Sequence, residues 1–406
     1  MILFNSKSKK NKIKKACFLY YSRFKFDAIL YREAKALKDK EFVVDIICLG
    51  DNNKDKIIQK YNGLNLYYIQ SRPSNEKKAI SYFTNLTLFI IKSAIFLSYL
   101  SIKKRYDIIH VTSPPDVIVF ASLIPKLLGT KIILDIHDIG PELYMRKLNV
   151  SEDKTIIKIL KFLERLSTRF ADHIITVTDL WHEKLINRSV KPNKCTVLLN
   201  VADDELFKPL ENKLSNGFNL FYHGTLEEHF GVDTLLKAMP MVKKNIPNVS
   251  LAIYGGGRLR EVFIELTKSL NINDCVQFHH GVPFYELPQI LDKADLGIVP
   301  TKDSIFADEA LSGKGLEYIA LGIPIVISGT KVHRYYYDEN MVKFFTPNDA
   351  HDLAKEIISL YKNNSERERL LRHSQEFIQK HGWQEHKKVY YQIVDNLICN
   401  GAKHYD

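Results

Sequence analysis

Apolar residues run almost unbroken through short segments at 16–21, 42–48, 106–111, 131–136, 173–177 and 195–199, and stretches with helical spacing, such as 26–37, lie between them. Strands covered on both faces read as continuous apolar runs, so this alternation predicts a parallel sheet packed on both sides by helices. The pattern stops at 203–217, a polar stretch with Pro209 and no apolar periodicity, which predicts a linker. It then restarts, with strands predicted at 218–222, 250–254, 276–278, 294–300, 324–327 and 342–345. From Ala350 the chain reads as helix, and the last helix opens at Trp383 and stays amphipathic to Cys399. The economical architecture is two doubly wound α/β domains, 1–205 and 218–383, joined by 206–217, with a helix at 384–406 able to cross back onto the first domain. Ligand then belongs in the cleft outside the carboxyl ends of the strands.

One segment departs from the alternation. Residues 82–100 are of helix length, rich in Phe, Ile and Leu, and bracketed by Lys77, Lys78, Lys103, Lys104 and Arg105. At 1.5 Å per residue, about nineteen residues just span a hydrocarbon core. Thr84, Asn85, Thr87, Lys92 and Ser93 interrupt the segment, however, and a central lysine costs roughly 3 kcal/mol on insertion. Two readings stay open: a buried crossover helix, or a helix lying in the membrane interface with its flanking cations on lipid phosphates.

Charge sharpens this choice. The chain has 406 residues, enough for two cores, and a net charge of +11 that is unevenly placed. Residues 1–200 hold 35 Lys and Arg against 19 Asp and Glu, whereas residues 201–406 hold 23 against 28. The first half should be drawn to anionic surfaces and the second should not. No helix-turn-helix, zinc finger or aromatic-plus-basic motif accompanies the charge, so an anionic leaflet is a better partner than nucleic acid. Six lysines in the first fifteen residues, without an apolar core of signal-peptide length, predict a basic arm and not a secretion signal. The five cysteines (Cys17, Cys48, Cys195, Cys275, Cys399) have neither metal-ligand nor redox spacing, which predicts reduced thiols, no zinc and a cytoplasmic address.

Candidate chemistry centres on 309–327. Ser312-Gly313-Lys314-Gly315 opens a helix that Gly322 closes, with Glu309 before it and Glu317 within it. A helix start leaves about four N–H groups unpaired and carries roughly half a positive charge, so the Ser312-Gly313-Lys314-Gly315 turn reads as an anion site. Glu309 and Glu317 can face a polyol in the same cleft, although a solvated helix flanked by acids gives the same pattern. Gly224 and Thr225 follow one strand, and Gly255, Gly256 and Arg258 the next, where glycine lets the backbone approach a nucleotide. The absence of GxGxxG and Walker sequences argues against a dehydrogenase or a P-loop NTPase. In the first domain His137 and Asp138 end a strand, where a histidine can hydrogen-bond a sugar hydroxyl and an aspartate can orient it or take a proton. His110 reads better as a satisfied core residue. Asp203-Asp204-Glu205 reads as the acidic first turn of a helix, not as a metal cluster, and no metal is expected.

The ensemble of Arg32-Glu33-Ala34, Asp107-Ile-Ile-His110, Leu134-Asp-Ile-His-Asp-Ile-Gly-Pro-Glu142, Tyr222-His-Gly-Thr225, Tyr254-Gly-Gly and Lys314-Gly-Leu-Glu317 resembles the retaining glycosyltransferases of family 4. It is most similar to the bacterial surface-polysaccharide members and extends over 16–397. The resemblance implies a GT-B fold, two Rossmann-like domains facing a cleft. It implies that Glu309 contacts donor-sugar hydroxyls, Glu317 the nucleotide ribose, the backbone of Leu311 to Gly313 the diphosphate, and His137 the sugar near its anomeric carbon. Two family features are missing. Tyr21-Ser-Arg23-Phe-Lys25 stands where many members have a glycine-rich loop, and Thr225 with Phe230 or Gly231 replaces the usual Arg and Lys for the diphosphate. Lys314, Arg258 or Arg23 is left to supply that cation.

What the resemblance implies overall is transfer with retention from a nucleotide sugar, with no metal or other cofactor and no covalent enzyme intermediate. The acceptor implied is lipid-linked or nascent polysaccharide at the cytoplasmic face of the membrane, with Arg23, Lys25 and the cations flanking 82–100 toward acceptor or lipid. A nucleotide-sugar 2-epimerase of the same fold is one alternative, and the charge asymmetry speaks against it. A peripheral-membrane assembly protein without turnover is another, and Glu309, Glu317 and His137 speak against that.

Overall fold

The computed structural model describes residues 13–50, 58–71, 79–148, 150–209, 217–303 and 308–402. The first sheet holds β1 (Lys15–Arg23), β2 (Val43–Gly50), β3 (Ile58–Tyr61), β4 (Leu64–Ser71), β5 (Ile108–Ser113), β6 (Lys131–Ile136), β7 (His173–Thr176) and β8 (Cys195–Val197). The second holds β9 (Phe218–His223), β10 (Val249–Tyr254), β11 (Val276–His279), β12 (Leu296–Val299), β13 (Ile325–Ser328) and β14 (Lys343–Phe345). Their orders are β3-β4-β2-β1-β5-β6-β7-β8 and β11-β10-β9-β12-β13-β14. Strand order reverses between β1 and β5 and again between β9 and β12, so each sheet opens a crevice at its carboxyl edge there. These crevices receive His137, Gly224 and the helix Gly313–Ala320.

The predicted strands all form, because apolar runs such as Cys17–Leu19, Ile46–Cys48 and Ile132–Leu134 bury their side chains completely. Missed in the sequence is the antiparallel hairpin β3–β4, closed by Asn62 and Gly63 with φ of +47° and +80°. Asn-Gly is the preferred pair for such a two-residue turn and was the available signal.

Two expectations are corrected. The Asp203-Asp204-Glu205 run starts no helix; it forms a turn in which the Asp203 carboxylate accepts from Glu205 N–H at 2.8 Å. Asp204 instead accepts from Trp383 and Gln384 N–H, at 3.4 and 3.1 Å, and so caps the last helix from outside it. Lys104 is not offered to a membrane or acceptor. It is drawn inward onto the fully buried Asp45 carboxylate and the Tyr67 hydroxyl, because a buried charge needs a partner. Lys103 stays outside, over the Tyr99 ring, and Arg105 is exposed. Lys77, Lys78, the lysines of the basic arm up to Lys12, and most of the 206–217 linker lie outside the described residues.

The helix Ala79–Lys104 is buried on one face and exposed on the other. Its inner face buries Phe89, Leu97 and Leu100 against the sheet, while Ile80, Ile95 and Ile102 on the outer face are each more than 60% exposed. The helix Trp383–Ala402 returns to the first domain, where Tyr391 donates to Ala36 O at 2.8 Å and the Trp383 ring lies 4.3 Å from the Arg32 guanidinium. Trp383, Tyr390 and Val394 fill a core shared by both domains. The domains also meet on either side of the cleft. Phe284 N–H donates to Lys25 O at 3.2 Å on one side, and the Tyr336 hydroxyl is 2.7 Å from Asp179 on the other.

Candidate active site

The first wall grows from the ends of β5 and β6. His137 Nε2 lies 2.6 Å from Asp135 Oδ2, and His110 Nε2 approaches the same oxygen at 3.3 Å. His110 is sandwiched further: its Nε2 is 3.4 Å from Glu33, its Nδ1 is 3.0 Å from the Tyr390 hydroxyl, and its ring stacks on Phe18. Burial opposes charge on His137, but Asp135, with Asp27 and Glu33 behind it, outweighs that and pushes its pKa up to about 9. Burial acts on Asp135 too, yet His137 and His110 hold it well below the usual carboxylate range. Asp138, with no such hydrogen bond among the described residues, is pushed up to about 6 by burial, with His137, Arg146 and Lys147 opposing. The wall therefore presents an imidazolium at neutral pH.

Ligand atoms of Glu33, His110 and Asp135 fall within 4.8 Å of one another. Asp135 and His110 are already engaged by His137 and Tyr390, and Arg32 stands 3.7 Å from Glu33, so the cluster reads as a buried charge network that is only partly hydrogen-bonded among the described residues.

The second wall is built on β9 and the helix Gly313–Ala320. Gly224 has φ of +124°, and a Cβ there would fall 2.3 Å from Lys314 Cε, so glycine is what lets the lysine stem pass. The ammonium comes to rest 4.0 Å from the centre of the Phe230 ring. Among the described residues no carboxylate lies within ion-pair distance of it, and burial lowers its pKa to about 8, with Glu317 opposing. Burial likewise raises Glu317 to about 7 against Lys314 and Arg32, and His223 Nε2 lies 3.3 Å from its carboxylate. Ser312 is the N-cap residue but makes no capping bond; its Oγ is buried without a partner among the described residues. A cation in the first turn of a helix opposes the helix dipole, and an orphaned hydroxyl costs further. A bound anion would relieve both.

The remaining sequence candidates separate. The Thr225 carbonyl accepts from the Tyr222 hydroxyl at 2.8 Å. Gly255 must stay glycine, since a Cβ would fall 1.8 Å from Gly224 O, whereas Gly256 borders open space. Arg258 is 75% exposed and pairs with Glu227 at 3.5 Å, so it stands at the rim, away from Lys314. Arg23 and Lys25 line a cavity of about 190 Å³ with Tyr61, Tyr68 and Tyr285, between the β3–β4 hairpin and the second domain. Leu311 is buried beneath the helix start.

Glu309 is the least expected placement. Lys184 Nζ holds both its oxygens, at 2.8 and 2.6 Å, and Thr178 donates to its carbonyl. Lys184 also lies 3.5 Å from Glu142, which Arg188 ties in turn to Glu164. The structure thus brings Lys314, Glu317 and His223 together on one wall and His137, Asp138 and Asp135 on the other. Glu309 is committed to an ion pair between domains, bordering a cavity of about 450 Å³.

Sequence reasoning also missed first-domain cations whose charge is felt in the second domain. Arg146 and Lys147, from the helix Gly140–Leu148, act together with Lys314 on His229, which burial first and these charges second lower to about 3. Their only sequence signal was a basic pair in the last turn of a helix following Asp138.

Comparison with known proteins gives this geometry a lineage. The description "Glycosyltransferase Family 4" matches residues 28–206, and "Glycosyl transferases group 1" matches 203–377. A chitobiosyldiphosphodolichol beta-mannosyltransferase of Debaryomyces hansenii is 27% identical over 261 residues, which are 57% of this chain and only 54% of that relative. An amylovoran biosynthesis glycosyltransferase, AmsK of Erwinia amylovora, is 23% identical over 196 residues, 48% of each chain. The structure of Anabaena Alr3699/HepE in complex with UDP and glucose superposes with a TM-score of 0.71 at 16% identity, covering 94% of this chain and all of that one. The chain therefore joins a family 4 glycosyltransferase domain to a group 1 glycosyltransferase domain, and the two parallel-sheet halves make a GT-B fold.

Proposed function

We propose that the protein transfers a sugar, with retention of anomeric configuration, from a nucleoside diphosphate to a lipid-linked or nascent polysaccharide acceptor in bacterial surface-polysaccharide synthesis. The observation that carries the reading is Lys314. It is a buried ammonium threaded past Gly224 at a helix start, with no ion-paired carboxylate among the described residues. A diphosphate is the ligand that suits a buried, unpaired lysine, an unsatisfied helix start and an orphaned serine hydroxyl. Glu317 would accept from the ribose hydroxyls, and ribose binding would favour its charged form.

In this reading the bond between the sugar's anomeric carbon and the diphosphate oxygen breaks while a bond to the acceptor oxygen forms on the same face. Lys314 and the N–H groups of the helix start stabilise the charge that grows on the leaving phosphate. That phosphate receives the acceptor's proton. His137, charged at neutral pH, donates to a sugar oxygen and fixes the ring instead of serving as a base. No metal is needed for this chemistry, since the chain itself supplies the cations. The aromatic cavity with Arg23 and Lys25 suits an acceptor sugar carrying negative charge. The amylovoran and diphosphodolichol relatives favour polymer or lipid carriers as acceptors.

The test is a thermal-shift screen of nucleotide sugars, followed by mass spectrometry and anomeric NMR of products on a lipid-diphosphate acceptor. Donor-dependent stabilisation without any transfer product would defeat the transferase reading, and an inverted product would defeat retention. Lys184 holds Glu309 in the free protein; on the proposed reading the donor sugar displaces it, so Glu309→Ala should cut turnover at least about tenfold in a folded protein, because a sugar hydroxyl loses a charged partner. Wild-type turnover would remove Glu309 from the donor site.

A further inference from the structure

Among the described residues, 15 of the 23 exposed large apolar side chains lie on three elements of the first domain. These are the outer face of the helix Ala79–Lys104, the short helix Leu123–Leu127 with Leu128, and the helix Thr155–Phe170. The three are contiguous: the 3-10 segment Asp116–Ser122 packs against all of them, on one side of the first sheet. Several side chains are very open, among them Ile80 at 81%, Ile95 at 69%, Leu127 at 74% and Phe162 at 58%. Soluble surfaces rarely carry so many apolar groups together unless something covers them.

The charges say what covers this face. In the three elements the only carboxylate is Glu164, which is buried and bound to Arg188. Lys104, Lys126 and Lys161 are paired with Asp45, Asp172 and Glu152, but exposed cations remain: Lys103 on the first helix, and Lys158, Arg165 and Arg169 interleaved with Ile156, Ile159, Phe162 and Leu166 on the last. We propose that this three-element face seats the protein on an anionic lipid surface, with the apolar side chains in the acyl boundary and these cations on lipid phosphates. A second copy of the chain suits it poorly, because the facing cations would repel one another. Nor can the helix Ala79–Lys104 leave to cross the bilayer: only a third of its most apolar window is buried, yet Phe89, Leu97 and Leu100 anchor that third in the core, and Lys104 neutralises buried Asp45. It lies along the surface. The proposal goes beyond the transfer reaction and does not depend on it.

The test is co-sedimentation of the full chain with vesicles of phosphatidylcholine alone and with 30–40% phosphatidylglycerol, roughly a physiological anionic fraction, without donor or acceptor. We expect binding at least about tenfold tighter on the anionic vesicles and weaker at high salt. Ile95→Asp and Phe162→Asp, each on a different helix and each exposed, should reduce binding about tenfold or more. The melting temperature, and any turnover on a soluble acceptor, should stay within error of wild type. Arg165→Glu combined with Arg169→Glu should abolish the preference for anionic lipid while leaving the fold intact. The proposal is overturned if wild type ignores both vesicle types, or if both apolar variants bind like wild type. It is equally overturned if light scattering shows a dimer in buffer that the same variants break, which would assign the face to a second copy.

Discussion

His137 owes its charge to Asp135 at 2.6 Å, against a burial that favours the neutral ring. Its folded pKa of about 9 lies above the ordinary value of 6.5, so the pair's contribution to stability is complete below pH 6.5 and is lost as pH rises through about 9. Asp135→Asn keeps a hydrogen-bonding group and removes the charge. It should move the His137 titration seen by NMR downward by more than one unit and flatten the decline of melting temperature between pH 6.5 and 9. An unmoved titration would mean that Asp135 is not what charges the ring. Lys314 works in the opposite sense, since burial has lowered it to about 8 and only its protonated form can hold a diphosphate. Calorimetry should show nucleoside diphosphate affinity falling as pH rises through about 8. Lys314→Ala should weaken binding by about 10- to 100-fold, since a hydrogen bond to a charged group contributes about 1.5–3 kcal/mol. If Lys314→Ala binds normally, Arg146 and Lys147 carry the phosphate without it. At this scale the legible residues were those at local landmarks, a strand end for His137 and a helix start for Lys314 and Glu317. Asp135, Arg146 and Lys184 were not singled out, because each acquires its meaning from a partner that only the fold supplies.

The C-terminal helix shows how an element can matter through what it reaches. Trp383–Ala402 is capped by Asp204, some 180 positions earlier, and inserts Tyr390 against His110, 280 positions earlier. Tyr390→Phe removes one hydroxyl from a filled core and leaves His110 Nδ1 without its partner. We expect it to cost about 1–3 kcal/mol by denaturant unfolding, because a buried polar atom loses its bond and no water replaces it. A loss under about 0.5 kcal/mol would show that His110 repacks. Elements with continuous apolar runs or clear helical periods, such as β1, β6 and this helix, could be read from the chain. The β3–β4 hairpin could not, because Gln59, Lys60 and Tyr61 are half or fully exposed and give no apolar run; only Asn62-Gly63 marked it. The outer face of Ala79–Lys104 was ambiguous for the same reason in reverse, since an apolar helix gives no indication of which side is covered until its neighbours are known.

Across the whole molecule, the contacts between domains decide what state the cleft is in. Glu309 hangs from the second domain and Lys184 from the first, and their ion pair sits only 15% and 28% exposed, where screening is partial. Tyr336 against Asp179 lies on the same side, while Phe284 against Lys25 and Tyr31 holds the other. The family resemblance implies that Glu309 contacts the donor sugar; in the structure Lys184 holds both its oxygens, so such a contact would require Lys184 to share or release it. Lys184→Met removes the cation and keeps most of the stem. The Glu309 carboxylate, left without its partner, gains by meeting water, so the free protein should shift toward a wider cleft. Small-angle scattering should then record a larger radius of gyration for Lys184→Met than for wild type without ligand, and equal radii once a nucleotide sugar is saturating. The donor should compete with less opposition for Glu309 but pay for closure, so KM and kcat should move together and not separately. Equal radii in the absence of ligand would show that Phe284 and the shared core at Trp383 hold the domains by themselves, and that Lys184 serves Glu142 and Glu309 only as a local counter-ion.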